Sequence, residues 1–217
     1  MKKRNHISRA LLAIAMMLTV LLPSLAHDFE VDGIYYNYLD KNEKAVEVTY
    51  KGDYGPDYFN EYSGSVIIPS IITYNGVTYS VSSIGDSAFE NCTGLTSVTI
   101  SNSVTSIGSS AFYGCLGLTS VDIPNSVTTI GSTAFYGCSG LISVTIPNLV
   151  SLIGNSAFYG CGLRLIISHC VVPPICDGEV FGGENDSYRA LLMIPEGAMI
   201  DYALADEWHK FTQVHEE

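Results

Sequence analysis

Cysteine, histidine and clustered carboxylates are the residues of this chain that could do chemistry, and their spacing argues against most of it. Cys92, Cys115, Cys138 and Cys161 fall 23 residues apart. Residues at one position of a stacked repeat lie above one another, about 4.8 Å apart if the repeats pair as strands. Side chains in such a row point the same way, which is poor geometry for a disulfide. A row also fails to converge as a tetrahedral zinc site must. These cysteines therefore read as buried thiols packing as small apolar residues. Cys170 and Cys176 stand outside the row, and a bridge between them stays open.

Other chemistry fares no better. His27, His169, His209 and His215 are scattered without metal-ligand spacing. No G-x-S-x-G nucleophile turn occurs. Gly85-Asp86-Ser87 looks like a hydrolase fragment, but the same repeat position reads Gly108-Ser109-Ser110 and Gly131-Ser132-Thr133 further on. The acids between Asp53 and Glu61 could meet a cation, yet they lack the calcium-loop pattern and read as a solvated loop. The chain is expected not to be an enzyme, and to hold no metal and no cofactor.

The elements that position these residues follow from a repeated phrase, I-G-x-[ST]-A-F-x-x-C. It begins at Ile84, Ile107, Ile130 and Ile153, at a constant 23-residue period. A period in the twenties is the signature of a solenoid whose units stack on one another. Positions constant among the copies face the core; positions that drift face water. Leu118, Val121 and Ile123 recur as Leu95, Val98, Ile100 and as Leu141, Val144, Ile146, a short strand with alternate residues inward. Pro124-Asn125 and Pro147-Asn148 turn the chain. Val127 and Ile130 begin a second short extended piece, which Gly131 breaks. Ser132 or Thr133 can then cap one helical turn carrying Ala134, Phe135 and Cys138 on one face.

The ends differ from the centre. Residues 1–26 read as a secretory signal peptide: Lys2, Lys3, Arg4 and Arg9, an apolar run from Ala10 to Leu22, and the small residues Ser24 and Ala26. That run is too short for a membrane span. Four of the 10 basic residues lie in residues 1–26 and none of the 22 acidic ones, so the remainder carries 6 basic against 22 acidic, a formal charge of −16. Nucleic acid and anionic membrane are poor partners for such a surface, and no membrane insertion is expected after signal removal. Yet between Leu95 and Leu163 the only ionised residue is Asp122.

Residues 27–65 read as an N-terminal β cap. Strands Phe29 to Leu39 and Ala45 to Tyr50 would flank the turn Asp40 to Lys44. Residues 66–168 carry the repeats, with Ser65 to Ile68 as an extra rung and Tyr74-Asn75-Gly76-Val77 as a hairpin. Residues 169–217 form an α/β C-terminal cap. A strand is expected at Leu191 to Ile194, and a helix from Gly197 to Phe211 burying Tyr202, Ala205, Trp208 and Phe211.

The phrase L-T-S-V-x-I-P-x-S-V-T-x-I-G-x-x-A-F-x-x-C resembles the 23-residue leucine-rich repeat of the BspA-like surface proteins of Bacteroidetes. The lead-in Phe29 to Tyr36 and the ending Cys170 to Phe211 are similar to that family's caps. The resemblance implies a short leucine-rich-repeat solenoid of α/β repeat class with a parallel sheet. It also implies a secreted or cell-surface protein, and some larger relatives are adhesins. Two surfaces are binding candidates. One is the outward rows of the sheet, Ser97, Ser120, Ser143 and Thr99, Asp122, Thr145, read either as a contact face or as plain solvated strand. The other is the column Tyr113, Tyr136, Tyr159, headed by Glu90, read either as an aromatic strip or as packing cover. The expected function is a binding module that contacts an extracellular protein or glycan in an adhesion-like way. The alternative is a structural or accessory domain without its own ligand.

Overall fold

The computed structural model describes residues 27–52, 61–183 and 187–217. The signal peptide read at residues 1–26 and most of the acidic run, residues 53–60, lie outside the described residues. The N-terminal part contributes β1 (Phe29–Val31), β2 (Ile34–Asp40) and β3 (Ala45–Thr49). Next come β4 (Gly64–Ile68), β5 (Ile71–Tyr74) and β6 (Val77–Ile84). Longer and shorter strands then alternate: β7 (Leu95–Ile100) and β8 (Ser106–Ile107), β9 (Ser120–Asp122) and β10 (Thr129–Ile130), β11 (Ser143–Ile146) and β12 (Leu152–Ile153). After these follow β13 (Leu165–Ser168), β14 (Ile175–Cys176), β15 (Leu191–Ile194), helix α1 (Met199–Leu204) and β16 (Gln213–Glu216).

Like strands of successive coils pair in parallel, as the period requires. The end of β6 and the short strands β8, β10, β12 and β14 build one wall, which β3 extends in parallel at its N-terminal end. β1, β2 and β5 join this wall antiparallel. The facing wall divides into β4-β7-β9 and β11-β13-β15-β16, rather than the single row that L-x-x-V-x-I suggests. β9 pairs with β7 over only Ser120 to Asp122, and no ladder joins it to β11. Pairing and stacking also continue beyond residue 168, through β14 and Phe181.

The core lies between the walls. Phe89, Phe112, Phe135 and Phe158 form a stack with centroid spacings of 4.9, 5.0 and 5.2 Å and planes within 7°. Tyr62 extends it at one end, and Phe181 followed by Trp208 at the other. Both terminal rings carry a polar handle and use it: Tyr62 donates to the Thr49 carbonyl at 2.7 Å, and Trp208 Nε1 to the Pro174 carbonyl at 2.9 Å.

The expected helical turn after each glycine is not helical. Ser87, Ser110, Thr133 and Ser156 have positive φ of 57°, 54°, 53° and 57°, outside the right-handed helical region. The physical reason is the backbone accounting. Ser110, Phe112 and Gly114 donate their N–H groups to Ser132, Ala134 and Tyr136 of the next coil, while Ala111, Tyr113 and Cys115 donate locally, three residues back. A helix would keep all these bonds within the segment and leave neighbouring coils unjoined.

Two further expectations shift. The strand read over Phe29 to Leu39 is split by Asp32 and Gly33, whose φ of 51° and 78° suit a two-residue hairpin. The helix read over Gly197 to Phe211 is only Met199–Leu204, followed by a 3₁₀ turn at Trp208–Lys210. Glu207 interrupts it with φ of 69°. Its carboxylate is taken inward by the Val180 N–H, the Tyr188 hydroxyl and Lys210. Tyr202, Trp208 and Phe211 are nonetheless buried, as the sequence suggested, whereas Ala205 is only half-buried because the helix has ended before it.

Candidate functional site

The row cysteines are thiols, and they do more than fill space. The Sγ atoms of Cys115, Cys138 and Cys161 lie 3.0, 3.1 and 3.1 Å from the carbonyls of Phe89, Phe112 and Phe135 in the preceding coil. Each thiol thus serves a buried backbone acceptor. Burial pushes the Cys92 thiol up to about 12. The adjoining Cys138 thiol and burial raise Cys115 further still. Cys170 and Cys176 are free thiols, so the open bridge is not formed; Cys170 Sγ donates to the Pro147 carbonyl at 3.1 Å. A thiol held protonated is a poor nucleophile and a poor metal ligand.

The tyrosine column forms as a stack. Tyr113 and Tyr136 lie 5.0 Å apart at 6°, and Tyr136 and Tyr159 lie 5.3 Å apart at 7°. All are half-buried. The ring faces cover one another, so what reaches solvent is a row of ring edges with phenol hydroxyls. Such a row offers hydrogen bonds more than a flat stacking platform. Glu90, heading the column, accepts from the Ser87 hydroxyl at 2.6 Å.

The strand rows run through β7, β9 and β11, which lie side by side, with the ladder interrupted between β9 and β11. Ser97 is the register partner of Ser120, and Thr99 of Asp122. Ser97 also donates to Ser65 at 2.9 Å. Ser143 and Thr145 lie instead beside Leu165 and Ile167, on β11 and β13. The outward face is therefore polar over β7 and β9 and turns apolar over β13 and β15. The rows and the tyrosine column sit on separate segments of each coil, with the buried Cys and Leu positions between them. Among the described residues, no group of three or more His, Cys, Asp or Glu is placed to hold a metal ion.

Sequence reasoning missed several structural residues. Phe181 could have been found, since it lies 23 residues after Phe158. The short strands end just before Gly108, Gly131 and Gly154, as read, but these glycines have a second role. A Cβ at Gly131 would lie 2.6 Å from the Gly108 carbonyl carbon, so these positions are bare because adjacent coils approach closely. Glu207 carries no signal in the sequence.

Residues 67–181, more than half of the chain, match the BspA type leucine rich repeat region, in six copies. A leucine-rich repeat protein from Bacteroides ovatus is similar in structure, with a TM-score of 0.65 and 28% identity; the match covers 87% of this chain and 47% of that one. This chain thus spans about half the length of that relative. A leucine-rich repeat protein from Bacteroides capillosus matches with a TM-score of 0.54 and 28% identity, over 65% of this chain and 97% of that one. The pneumococcal vaccine antigen PcpA shares the fold at 17% identity and a TM-score of 0.51, over 81% of this chain and 51% of that one. No curated protein matches the chain. No helix among the described residues is long and apolar enough to cross a membrane. The repeat that sets the coil, the phenylalanine stack that fills it and the family match over residues 67–181 agree: the chain belongs to the BspA-type leucine-rich repeat family.

Proposed function

We propose that the chain is a secreted or cell-surface binding module that contacts an extracellular protein or glycan, in an adhesion-like role, through its central coils. The observation that carries this is the contrast in charge. Between Leu95 and Leu163 Asp122 is the only ionised residue, whereas the rest of the chain is strongly acidic. An uncharged face loses little on desolvation. Its coils are already tied to one another by backbone hydrogen bonds, so few groups need ordering on contact. Ser97, Ser120, Thr99 and Asp122 offer one polar patch. The hydroxyls of Tyr113, Tyr136 and Tyr159 offer a second. Ser143 and Thr145 border the apolar outward positions Leu165 and Ile167. A surface location rests on the basic-then-apolar leader at residues 1–26.

The test is a glycan array and matrix-protein pull-down, followed by affinity at low and high salt. Contact through the central coils predicts weak salt dependence, and loss of binding in Tyr136→Ala or Ser120→Arg with the circular dichroism spectrum unchanged. A steep salt dependence with both variants still binding would move the contact to the acidic ends. Absence of any ligand would leave the accessory-domain reading.

A further inference from the structure

A groove of about 540 Å³ runs over the outer face of the sheet at its N-terminal end, between β2, β3, β6 and β8. That volume is in the range of small-ligand clefts. Its floor is one cross-strand row: Asn37 is the register partner of Glu47, Glu47 of Ser83, and Ser83 of Ser106. Asp86, Leu39, Thr49 and Thr105 are among the other residues that line it. Small residues make the depression. Ser83 is 8% exposed, and a Cβ at Gly85 would lie 2.9 Å from Glu47 Cδ, so the missing side chain lets the carboxyl lie down on the backbone.

The polar groups of the groove are held in place yet incompletely used. Asn37 Oδ1 accepts the Asp28 N–H at 3.1 Å, which leaves its amide NH₂ to hydrogen-bond Glu47. Asp86 Oδ1 accepts the Ser109 N–H at 2.7 Å. Each carboxylate retains acceptor capacity, and the serine hydroxyls can donate and accept. Among the described residues, no Lys, Arg or His lines the groove. Burial first, and then the nearby Asp86 charge, raise the Glu47 carboxyl above its usual range. A poorly solvated carboxylate gains from a new hydrogen-bond donor.

These groups select a class of ligand. The carboxylates repel anions, and the row of Asn37, Glu47, Ser83 and Ser106 beside the exposed Leu39 suits a guest that carries both hydroxyl groups and apolar faces. A polyhydroxylated neutral molecule suits it, because each of its hydroxyls can donate to a carboxylate while accepting from an amide or a serine. We propose that this groove binds a neutral saccharide, with Glu47 and Asp86 accepting hydrogen bonds from its hydroxyl groups. The site lies at the N-terminal end of the stack, outside the uncharged central coils, and does not rest on the reading given for them.

The experiment is amide shift mapping by NMR on the ¹⁵N-labelled chain, with maltotriose, cellotriose, mannotriose and xylotriose as probes. Spermidine and calcium chloride serve as cationic controls. One or more of the trisaccharides should move the amides of Glu47, Ser83, Asp86 and Ser106 in a saturable way. Glu47→Gln, nearly isosteric, and Ser106→Arg, which fills the end of the floor row, should each weaken that binding about tenfold or more. No groove shift with any trisaccharide overturns the proposal. Groove shifts with spermidine or calcium alone also overturn it, in favour of a cation site. Shifts confined to Tyr113, Tyr136 and Tyr159 would support the central coils instead and again remove the groove.

Discussion

Adjacent residues in one repeat have opposite fates, and the difference is energetic. Phe135 is fully buried between two stacked rings, whereas Tyr136, next in the chain, is half-buried in the outer column. Phe135→Ala should cost about 3–5 kcal/mol, from lost transfer and an unfilled cavity. Tyr136→Ala loses an outer stack and should cost about 0.5–1.5 kcal/mol. Urea titration of both variants measures the difference, and equal losses would mean that the outer column bears as much of the core as the inner one. The cysteine position shows the same economy at smaller scale, since one thiol both fills the core and satisfies a carbonyl of the preceding coil.

Elements here are held by how closely coils approach and by how the ends are closed. A Cβ at Gly131 would meet the Gly108 carbonyl carbon at 2.6 Å, while Gly137 has φ of 70° and open space around it. Gly131→Ala should therefore cost about 1–3 kcal/mol by forcing coils apart. Gly137→Asn should cost less, because Asn tolerates the left-handed region. Thermal unfolding of the pair decides, and the reverse order would refute the close-approach argument. At the C-terminal end the latch is Glu207. Burial alone would raise its carboxyl, but hydrogen bonds from Lys210, Tyr188 and the Val180 N–H outweigh it and lower the pKa. A carboxyl lowered in the folded state stabilises above its unfolded pKa, and that contribution is lost as pH falls through the folded value. The cap should loosen as pH falls below the ordinary glutamate value of 4.5, and Glu207→Gln should flatten that acid limb. Tryptophan fluorescence follows it directly, since Trp208 packs beside the latch; an unchanged acid limb in the variant would rule Glu207 out.

The whole molecule carries its thiols as a shared property. Burial raises Cys92 and Cys176 to about 12, and Cys115 and Cys138 are raised as well. The sign follows from linkage: the folded chain keeps these protons while the unfolded chain releases them. The thiol contribution is therefore complete below the unfolded pKa, near 9. It is lost as pH rises from there toward the folded values. Each such thiol should subtract on the order of 1 kcal/mol per pH unit in that window. Denaturant titrations from pH 8 to 10.5 should show a steep fall in stability, and Cys115→Ser with Cys138→Ser should make it shallower. A flat profile in the parent chain would contradict the buried-thiol assignment.

The sequence by itself determined the period, the inward columns of Leu, Val, Ile, Phe and Cys, and the hairpin at Asn75-Gly76. It could do so because comparing copies of one repeat separates core from surface without any knowledge of contacts. The neutral centre and acidic flanks were legible for the same reason, since charge needs only counting. What only the tertiary structure decided depends on partners in other coils. The segment after each glycine turns left-handed at Ser110 and Thr133 because its N–H groups bond to the next coil, a bond that local helix propensity ignores. Tyr62, Phe181 and Trp208 join the ring stack across breaks in the repeated phrase. The ladder of the facing wall breaks between β9 and β11, although the two strands still lie against each other. The saccharide groove exists only where the N-terminal strands meet the first coil, because register sets Asn37, Glu47, Ser83 and Ser106 side by side across four strands.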